Sequence, residues 1–360
     1  MSADHTREAD AQKRQTPHPA KRSPTVIPRL PGGNGFERNL IKFRWVIISQ
    51  FYGFLHLQHR EFSAVNVSVG SFRQKIRTYL RNADILSRSL EAHGHEFHLL
   101  TNNSNLIRRF SPRISERLSI SEIDFTTPVP TGVRFFSSHY KLDALRYLGN
   151  EQNDYAALID LDMLCINTAP EALFDAERTG QALYYDITDQ VVPSAGEETL
   201  RAQLEEILGR PVDLQWSGGE FLAGPPAYFR ALAEAVEQIF QRYIDVSVGR
   251  YRVGNEPYQN AAIEILRHNG WNIADAGPMG VVARYWNMPV KHNQPPFRAF
   301  RDKFLVHLPV DKHVLNLMRT LSPSRPESFL ALYAATKWLW LPLEVLNRLW
   351  GKLGSVRIRR

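Results

Sequence analysis

The sequence contains a single cysteine, Cys165, among its 360 residues. One cysteine excludes an internal disulfide and any Cys-x-x-Cys metal or redox site, and it favours a reducing compartment. Residues 1–24 contain no apolar stretch of the length that a secretory signal needs, and the apolar patch at residues 45–57 is too short and too polar to span a bilayer. Gly-x-Gly-x-x-Gly and Walker nucleotide motifs are also absent. These absences favour a cytoplasmic protein.

The composition is that of a globular chain with charged ends. Apolar residues make up 43% of the chain and charged residues 22%, enough for a full core and too few charges for disorder throughout. The net charge of +7 comes from nine Lys/Arg against four Asp/Glu in residues 1–44, and eight against two in residues 319–360. The middle of the chain is therefore mildly acidic. This pattern argues against nucleic acid as a partner and favours contact with an anionic membrane surface.

Changes in composition divide the chain into three parts. Residues 1–38 are polar and proline-rich, so they are predicted to form a disordered basic tail. Residues 39–318 are predicted to form one folded domain. Residues 319–360 combine tryptophan and leucine with lysine and arginine, and charges interrupt every window long enough to span a bilayer. We predict an amphipathic membrane-associating helix there; the alternative is a terminal helix packed on the domain.

Strand and helix patterns alternate along the middle of the chain. Apolar runs predict strands at residues 64–70, 96–102, 119–125, 155–166, 182–188, 219–224 and 303–309. Amphipathic patterns predict helices at residues 83–94, 137–148, 169–174, 197–209, 225–243 and 257–270. This alternation predicts an α/β fold, in which helices cover both faces of a mostly parallel sheet and ligands bind where the strands end.

Two carboxylates interrupt the most apolar of these runs, at Asp160-Leu161-Asp162. Charges in a buried strand are costly unless they are paired or bound to a metal. Alternate strand residues point to the same side, so both carboxylates can converge on one hard divalent cation at a strand end. An Asp-x-Asp triplet is a weak signal by itself, because chance gives roughly one in a chain of this size.

Five segments, in order, resemble the retaining GT-A glycosyltransferases of family 8 over residues 63–315. They are the helix with Lys141 (residues 140–148), the Asp-x-Asp run (155–166), and the segments at 216–224, 255–263 and 304–309. The last of these contains a histidine at the family's metal-binding position, His307. Departures from the family are Ser217-Gly218-Gly219 in place of Asn-Ala-Gly, Asn255-Glu256 in place of Asp-Gln, and the lack of a Lys-Pro-Trp triplet after His307.

The resemblance implies a GT-A (Rossmann-like) fold. It also implies transfer of a sugar from a nucleotide-diphosphate donor, most simply a UDP-sugar, to a glycan or lipid-linked acceptor. Surface polysaccharide or lipopolysaccharide synthesis at the inner face of the membrane would suit the basic C-terminus.

Particular residues carry these expectations. We expect Mn²⁺, or Mg²⁺, on Asp160, Asp162 and His307, since oxygen ligands with one imidazole suit these ions. The expected nucleotide-sugar contacts are Lys141, Asp160, Ser217, Gly218, Gly219, Asn260 and Lys312. The catalytic carboxylate stays open among Glu256, Glu220 and Asp186.

Other functions fit parts of the sequence. The Asp-x-Asp strand also resembles that of haloacid-dehalogenase-type phosphatases, but Leu164 stands where they have Thr or Val, and their pair lies in the first strand of the domain. A phosphatase or a metal-dependent nucleotidyltransferase stays as an alternative. A non-catalytic scaffold that retains the fold is a third, favoured by the departures at Ser217, Asn255 and Lys312.

Overall fold

The computed structural model describes residues 50–57, 71–286, 293–317 and 327–335. The predicted tail at residues 1–38, the predicted strand at 64–70 and most of the predicted segment 319–360 lie outside the described residues. The strands are β1 (Gln50–Leu55), β2 (Glu96–Thr101), β3 (Ser119–Glu122), β4 (Ala156–Ile159), β5 (Met163–Cys165), β6 (Ala182–Asp186), β7 (Ser217–Gly224), β8 (Ile273–Asp275), β9 (Val282–Arg284) and β10 (Leu305–His307). The helices are α1 (Phe72–Glu91), α2 (Ser104–Phe110), α3 (Pro112–Ser115), α4 (Lys141–Asn150), α5 (Glu171–Thr179), α6 (Thr188–Ala195), α7 (Glu197–Leu208), α8 (Pro226–Ser247), α9 (Asn255–His268) and α10 (Lys312–Leu317).

A seven-stranded sheet forms the centre of the fold, in the order β3-β2-β1-β4-β7-β6-β8. Neighbouring strands are parallel except at β7, which is antiparallel to both β4 and β6. Strands β4 and β7 are buried along their whole length, as expected for a sheet that helices cover on both faces. The predicted α/β fold with a mostly parallel sheet is therefore confirmed.

The run at residues 155–166, predicted as one strand, is two strands in two sheets. β4 pairs with β1 and β7, whereas β5 joins a second sheet in the order β5-β10-β9. The chain turns at residues 160–162, where the N–H of Asp160 donates to the carbonyl oxygen of Glu220 at 3.1 Å. Both halves of the run are equally apolar, so periodicity does not reveal the break. The turn puts the two charges at a strand end instead of inside a strand, where their burial would be costly.

A second hydrophobic cluster lies against the three-stranded sheet. It includes Leu164 and Val306, from β5 and β10, and the aromatic residues Phe329 and Tyr333. Residues 327–335 are helical, and Phe329 and Tyr333 in this segment are buried. In the described part of the predicted membrane segment, two aromatic side chains thus contribute to the folded core. No helix among the described residues is long and apolar enough to cross a membrane.

Several elements are absent from the sequence-based predictions, namely α2, α3, α6, α10, β8 and β9. Each is short, between three and eight residues, and such segments carry too few periods of a hydrophobic pattern to be recognised. Helices α7, α8 and α9 lie close to their predicted ranges, whereas α1, predicted at residues 83–94, begins eleven residues earlier, at Phe72. The true start of α1 is a capping box in which Ser71 and Gln74 bond reciprocally, an arrangement that satisfies two N–H groups at a helix start.

Candidate active site

The ends of β4 and β10 bring the predicted metal ligands together. Asp160 and Asp162 occupy the turn between β4 and β5, and His307 is the last residue of β10. Because β5 and β10 are antiparallel neighbours, His307 lies opposite Met163. The N–H of Leu308 donates to the carbonyl oxygen of Asp162 at 3.0 Å. Pairing between distant parts of the chain thus fixes the three side chains against one another.

The side-chain atoms of these three residues form a tight group. His307 Nε2 lies 3.3 Å from Asp162 Oδ1 and 3.9 Å from Asp160 Oδ2. One ligand atom from each residue lies within 4.8 Å of the others. Asp162 and His307 are buried, whereas the Asp160 side chain is 34% exposed. Two carboxylates and an imidazole are a donor set that suits Mn²⁺ or Mg²⁺, so these residues fit the predicted ion.

Two buried lysines contact the two aspartates. Lys312 donates to the carboxylate of Asp162, and its side chain lines the cavity described below. Lys141 Nζ donates to Asp160 Oδ1 at 3.1 Å and also to the carbonyl oxygen of Gly219. Both lysines are buried, but only Lys312 is among the residues that line the cavity. Lys141 therefore holds Asp160 in place, and Lys312 is the lysine that faces a ligand.

Mutual attraction keeps the cluster charged despite its burial. Burial alone would raise the pKa of Asp162, but the charges of Lys312 and His307 outweigh this effect and lower the pKa below its usual range. Burial alone would lower the pKa of His307, but Asp162 and Glu220 raise it to about 9. At neutral pH the imidazole is therefore protonated, and a metal ion that binds Nε2 must release a proton.

A buried chain of ion pairs extends from the histidine. Arg284 donates from Nε to Glu220 Oε1 at 2.6 Å and from Nη2 to Glu220 Oε2. Its Nη2 also donates to Glu256 Oε1 at 3.1 Å. On its other side, Glu220 Oε1 lies 3.3 Å from His307 Nδ1. Arg284 is missing from the sequence-based predictions; its one signal is a charge at the end of the apolar run at residues 281–283.

Glu256 is the candidate catalytic carboxylate that reaches the cavity. It lines the cavity and accepts from Arg252 Nη2 at 3.2 Å and from Trp216 Nε1 at 3.2 Å, in addition to Arg284. Burial would raise the pKa of Glu256, but Arg252 and Arg284 outweigh this effect and lower it, so the carboxylate is ionised. Glu220, by contrast, has no exposed surface. Of the two, only Glu256 is placed to touch a ligand.

Helix α9 holds the polar start of β7. Asn260 accepts from the N–H of Ser217 and donates to its carbonyl oxygen at 3.0 Å. Gln259 Nε2 donates to Ser217 Oγ at 2.9 Å. Ser217 and Asn260 are both buried, so in this structure they connect α9 to β7 and do not line the cavity.

The glycines at positions 218 and 219 make room for side chains of the protein itself. A Cβ atom on Gly218 would lie 2.8 Å from the Glu220 carboxyl carbon, and one on Gly219 would lie 3.1 Å from Asn255 Cγ. Such distances are shorter than van der Waals contact. Gly219 also lines the cavity, so of the two it is the one whose backbone a ligand can approach.

The third candidate carboxylate, Asp186, lies away from the other two. It ends β6, where it accepts from the hydroxyl of Tyr184 at 2.9 Å and from the N–H of Thr188 at 2.8 Å. The preceding residue, Tyr185, points toward the site, since its hydroxyl accepts from the N–H of Arg284 at 3.1 Å. Successive residues of a strand face opposite sides of the sheet. The structure therefore does not bring Asp186 together with Glu220 and Glu256.

These groups lie at a cavity of about 1080 Å³. This is slightly larger than the roughly 300–1,000 Å³ that is typical of small-molecule sites. Two loops, at residues 132–138 and 248–254, line it together with the ends of the strands. The residues already discussed that line it are Asp160, Asp162, Gly219, Arg252, Asn255, Glu256, Arg284, His307 and Lys312. The arrangement can bind a cation and a polyanion side by side.

Comparisons with known proteins give structural neighbours only. No protein-family profile matches the chain, and no curated protein does. The structure is similar to that of the galactosyltransferase LgtC in complex with donor and acceptor sugar analogs (11% identity, TM-score 0.46, 79% of this chain and 99% of that one). It is also similar to the bifunctional glycosyltransferase WbbM (11%, 0.46, 78% and 51%) and to mouse xyloside xylosyltransferase 1 (11%, 0.41, 72% and 97%). At such identity a likeness concerns the fold alone, so the function has to be argued from the site.

Proposed function

We propose that the protein is a metal-dependent GT-A glycosyltransferase that transfers a sugar from a nucleotide-diphosphate sugar, a UDP-sugar in the simplest case. The observation that carries the proposal is the convergence of Asp160, Asp162 and His307 beside Lys312, at a cavity large enough for a nucleotide sugar. Breaking the bond between sugar and phosphate leaves a charged diphosphate. A site that catalyses this reaction must stabilise that charge as it develops.

Each residue of the cluster has a role in this reaction. Asp160, Asp162 and His307 would hold Mn²⁺ or Mg²⁺. The ion would supply Lewis-acid stabilisation to the leaving diphosphate. Lys312 adds a second positive charge beside the phosphates. Lys141 fixes the orientation of Asp160 through its bonds to that carboxylate and to the backbone of β7.

Glu256 is the carboxylate we assign to the sugar. It is ionised and faces the cavity, so it accepts hydrogen bonds from sugar hydroxyls. Its negative charge also favours the positive charge that grows on the anomeric carbon as the leaving group departs. The predicted roles of Ser217, Gly218 and Asn260 become indirect in this proposal, because these residues shape β7 and do not touch the donor.

The acceptor side of the proposal rests on the sequence. A glycan or lipid-linked acceptor, and attachment of the protein to the inner face of a membrane, are supported by the basic and tryptophan-rich composition of residues 319–360. That segment lies largely outside the described residues, so membrane association stays a prediction.

Titration of the purified protein with UDP, with and without Mn²⁺, tests the donor site. We expect binding that requires Mn²⁺ and is weakened by at least about 2 kcal/mol, roughly 30-fold, in Asp162→Asn. Asp175→Asn is the matched control, because Asp175 is an exposed acid paired with Arg178. A screen of UDP-sugars for hydrolysis in the same metal would then identify the donor.

Other outcomes point to the other functions. Absence of UDP binding with any metal would exclude UDP and lead to GDP and CMP donors. Release of phosphate from simple esters without an acceptor would favour the phosphatase. Absence of turnover with every donor and metal would favour the scaffold.

A further inference from the structure

Glu220 is a carboxylate that no ligand touches, yet it lies directly behind a proposed metal ligand. It is fully buried in β7, and Arg284 binds both of its oxygens. Glu220 Oε1 is 3.3 Å from His307 Nδ1. That nitrogen is buried. Glu220 is therefore the acceptor that a proton on Nδ1 faces.

The two ring nitrogens of a metal-binding histidine have different tasks. One must present a lone pair to the metal, and the other is then protonated and faces an acceptor. In His307 it is Nε2 that lies near Asp160 and Asp162, at 3.9 and 3.3 Å. A carboxylate at Nδ1 keeps the proton on the far side of the ring and turns Nε2 toward the aspartates. It also makes the imidazole a better electron donor.

We propose that Glu220 and Arg284 are positioning residues that orient His307 as a metal ligand, and that Glu220 does not act on the substrate. This inference rests on the proposed metal-dependent function. Arg284 fixes the orientation of Glu220, because its two parallel hydrogen bonds hold the carboxylate in one position. Arg284 also contacts Glu256, so one guanidinium joins the residue behind the metal ligand to the carboxylate that faces the sugar.

Replacing the pair by apolar side chains tests the proposal without leaving either charge alone. The variant is Glu220→Leu with Arg284→Met; buried ion pairs often tolerate such exchanges, whereas the loss of one partner does not. We expect Mn²⁺ affinity to fall 10- to 100-fold, as is typical when such an outer contact is removed. The affinity is measured by electron paramagnetic resonance, with and without UDP. Glu220→Gln, which keeps the size and removes the charge, serves as the second variant if the double variant does not fold.

A control and a second measurement separate orientation from general charge loss. Glu256→Gln removes a negative charge from the other end of the Arg284 contact, and we expect its Mn²⁺ affinity to stay within threefold of that of the unmodified protein. Nitrogen-detected NMR of ¹⁵N-histidine should show an exchange-protected proton on Nδ1 of His307, which is identified by its absence in His307→Gln. That proton should lose its protection in the double variant.

The outcomes distinguish this inference from the proposed function. A folded double variant, or a folded Glu220→Gln, with unchanged Mn²⁺ affinity would overturn the positioning role alone. Equal losses in Glu256→Gln and in the double variant would also overturn it, because they would make the effect one of net charge. If the unmodified protein bound no divalent ion, the metal-dependent transfer itself would fall, and the positioning role with it.

Discussion

Replacing Lys312 by methionine should weaken the fold and, at the same time, strengthen metal binding. Lys312 is buried and donates to the carboxylate of Asp162. Removing one partner of a buried ion pair costs about 3–5 kcal/mol, because the other charge is left uncompensated. His307 remains 3.3 Å from Asp162 and still compensates part of its charge. We therefore expect a cost at the low end of this range, about 3 kcal/mol. For a chain of this size that corresponds to a melting temperature lower by about 4 °C.

Manganese should restore much of this loss. In the unmodified protein an ion at Asp162 has to share the carboxylate with an ammonium group, and the two positive charges repel each other. Without Lys312 the repulsion is gone, and the ion supplies the missing positive charge. At 100 times its dissociation constant a ligand stabilises a protein by about 2.7 kcal/mol, which is close to the predicted loss. UDP affinity should still fall, because a cation beside the diphosphate is missing.

Thermal unfolding in EDTA and in Mn²⁺ measures both effects. Lys303→Met is the matched control, since Lys303 Nζ donates to the carbonyl oxygen of Gly277 at 3.0 Å and no ion pair with a carboxylate is found for it in the described structure. Adding Asp162→Asn to Lys312→Met should recover stability in EDTA and abolish the effect of Mn²⁺. Two results would refute this prediction. Lys312→Met would unfold at the same temperature with and without Mn²⁺, or the added Asp162→Asn would lower the melting temperature in EDTA further.

Two further predictions concern stability. His56 is buried and rests on the ring of Tyr140, with 3.9 Å between ring centroids; burial lowers the pKa of His56 from 6.5 to about 4, against the attraction of Asp143. Between pH 4 and pH 6.5 the unfolded chain therefore binds more protons than the folded chain. The free energy of unfolding falls by roughly 3 kcal/mol in total as the pH drops from about 6.5 to 4. Urea unfolding at pH 7 and pH 4.5 should show a smaller drop in the free energy of unfolding for His56→Phe than for the unmodified protein. Equal drops in the two proteins would contradict this. Gly218→Ala places a methyl group against the Glu220 carboxylate, which Arg284 prevents from moving away, so it should cost about 1–3 kcal/mol; an unchanged denaturation midpoint would show that Glu220 is free to move.

The sequence predicted the fold class because most of the larger elements carry several periods of their pattern. In α1 and α8 the buried residues recur at helical spacing, and β4 and the second half of β7 are apolar. The break at Asp160 was not predictable in this way. The turn there is fixed by β10, which arrives from 140 residues further along the chain to pair with β5, and no local pattern contains that information.

The candidate site was predictable where the chemistry is unusual for its surroundings. Asp160 and Asp162 stand out in an apolar run, and the structure brings both of them to His307. Arg284 gave only a faint signal, because one arginine beside an apolar run is ordinary until its partners are known. Its function depends on three elements, β7, β9 and α9, which meet only in the folded chain.

The balance of charge explains why a metal and a nucleotide would bind this site together. The acidic members of the cluster are Asp160, Asp162, Glu220 and Glu256, and the basic ones are Lys141, Lys312, Arg252, Arg284 and the protonated His307. The five positive charges thus outnumber the four negative ones, so a divalent ion alone meets no net attraction and must displace the His307 proton. A diphosphate brings the negative charge that the ion lacks. Each therefore lowers the electrostatic cost of binding the other, which favours a metal–nucleotide complex as the true ligand of the cavity.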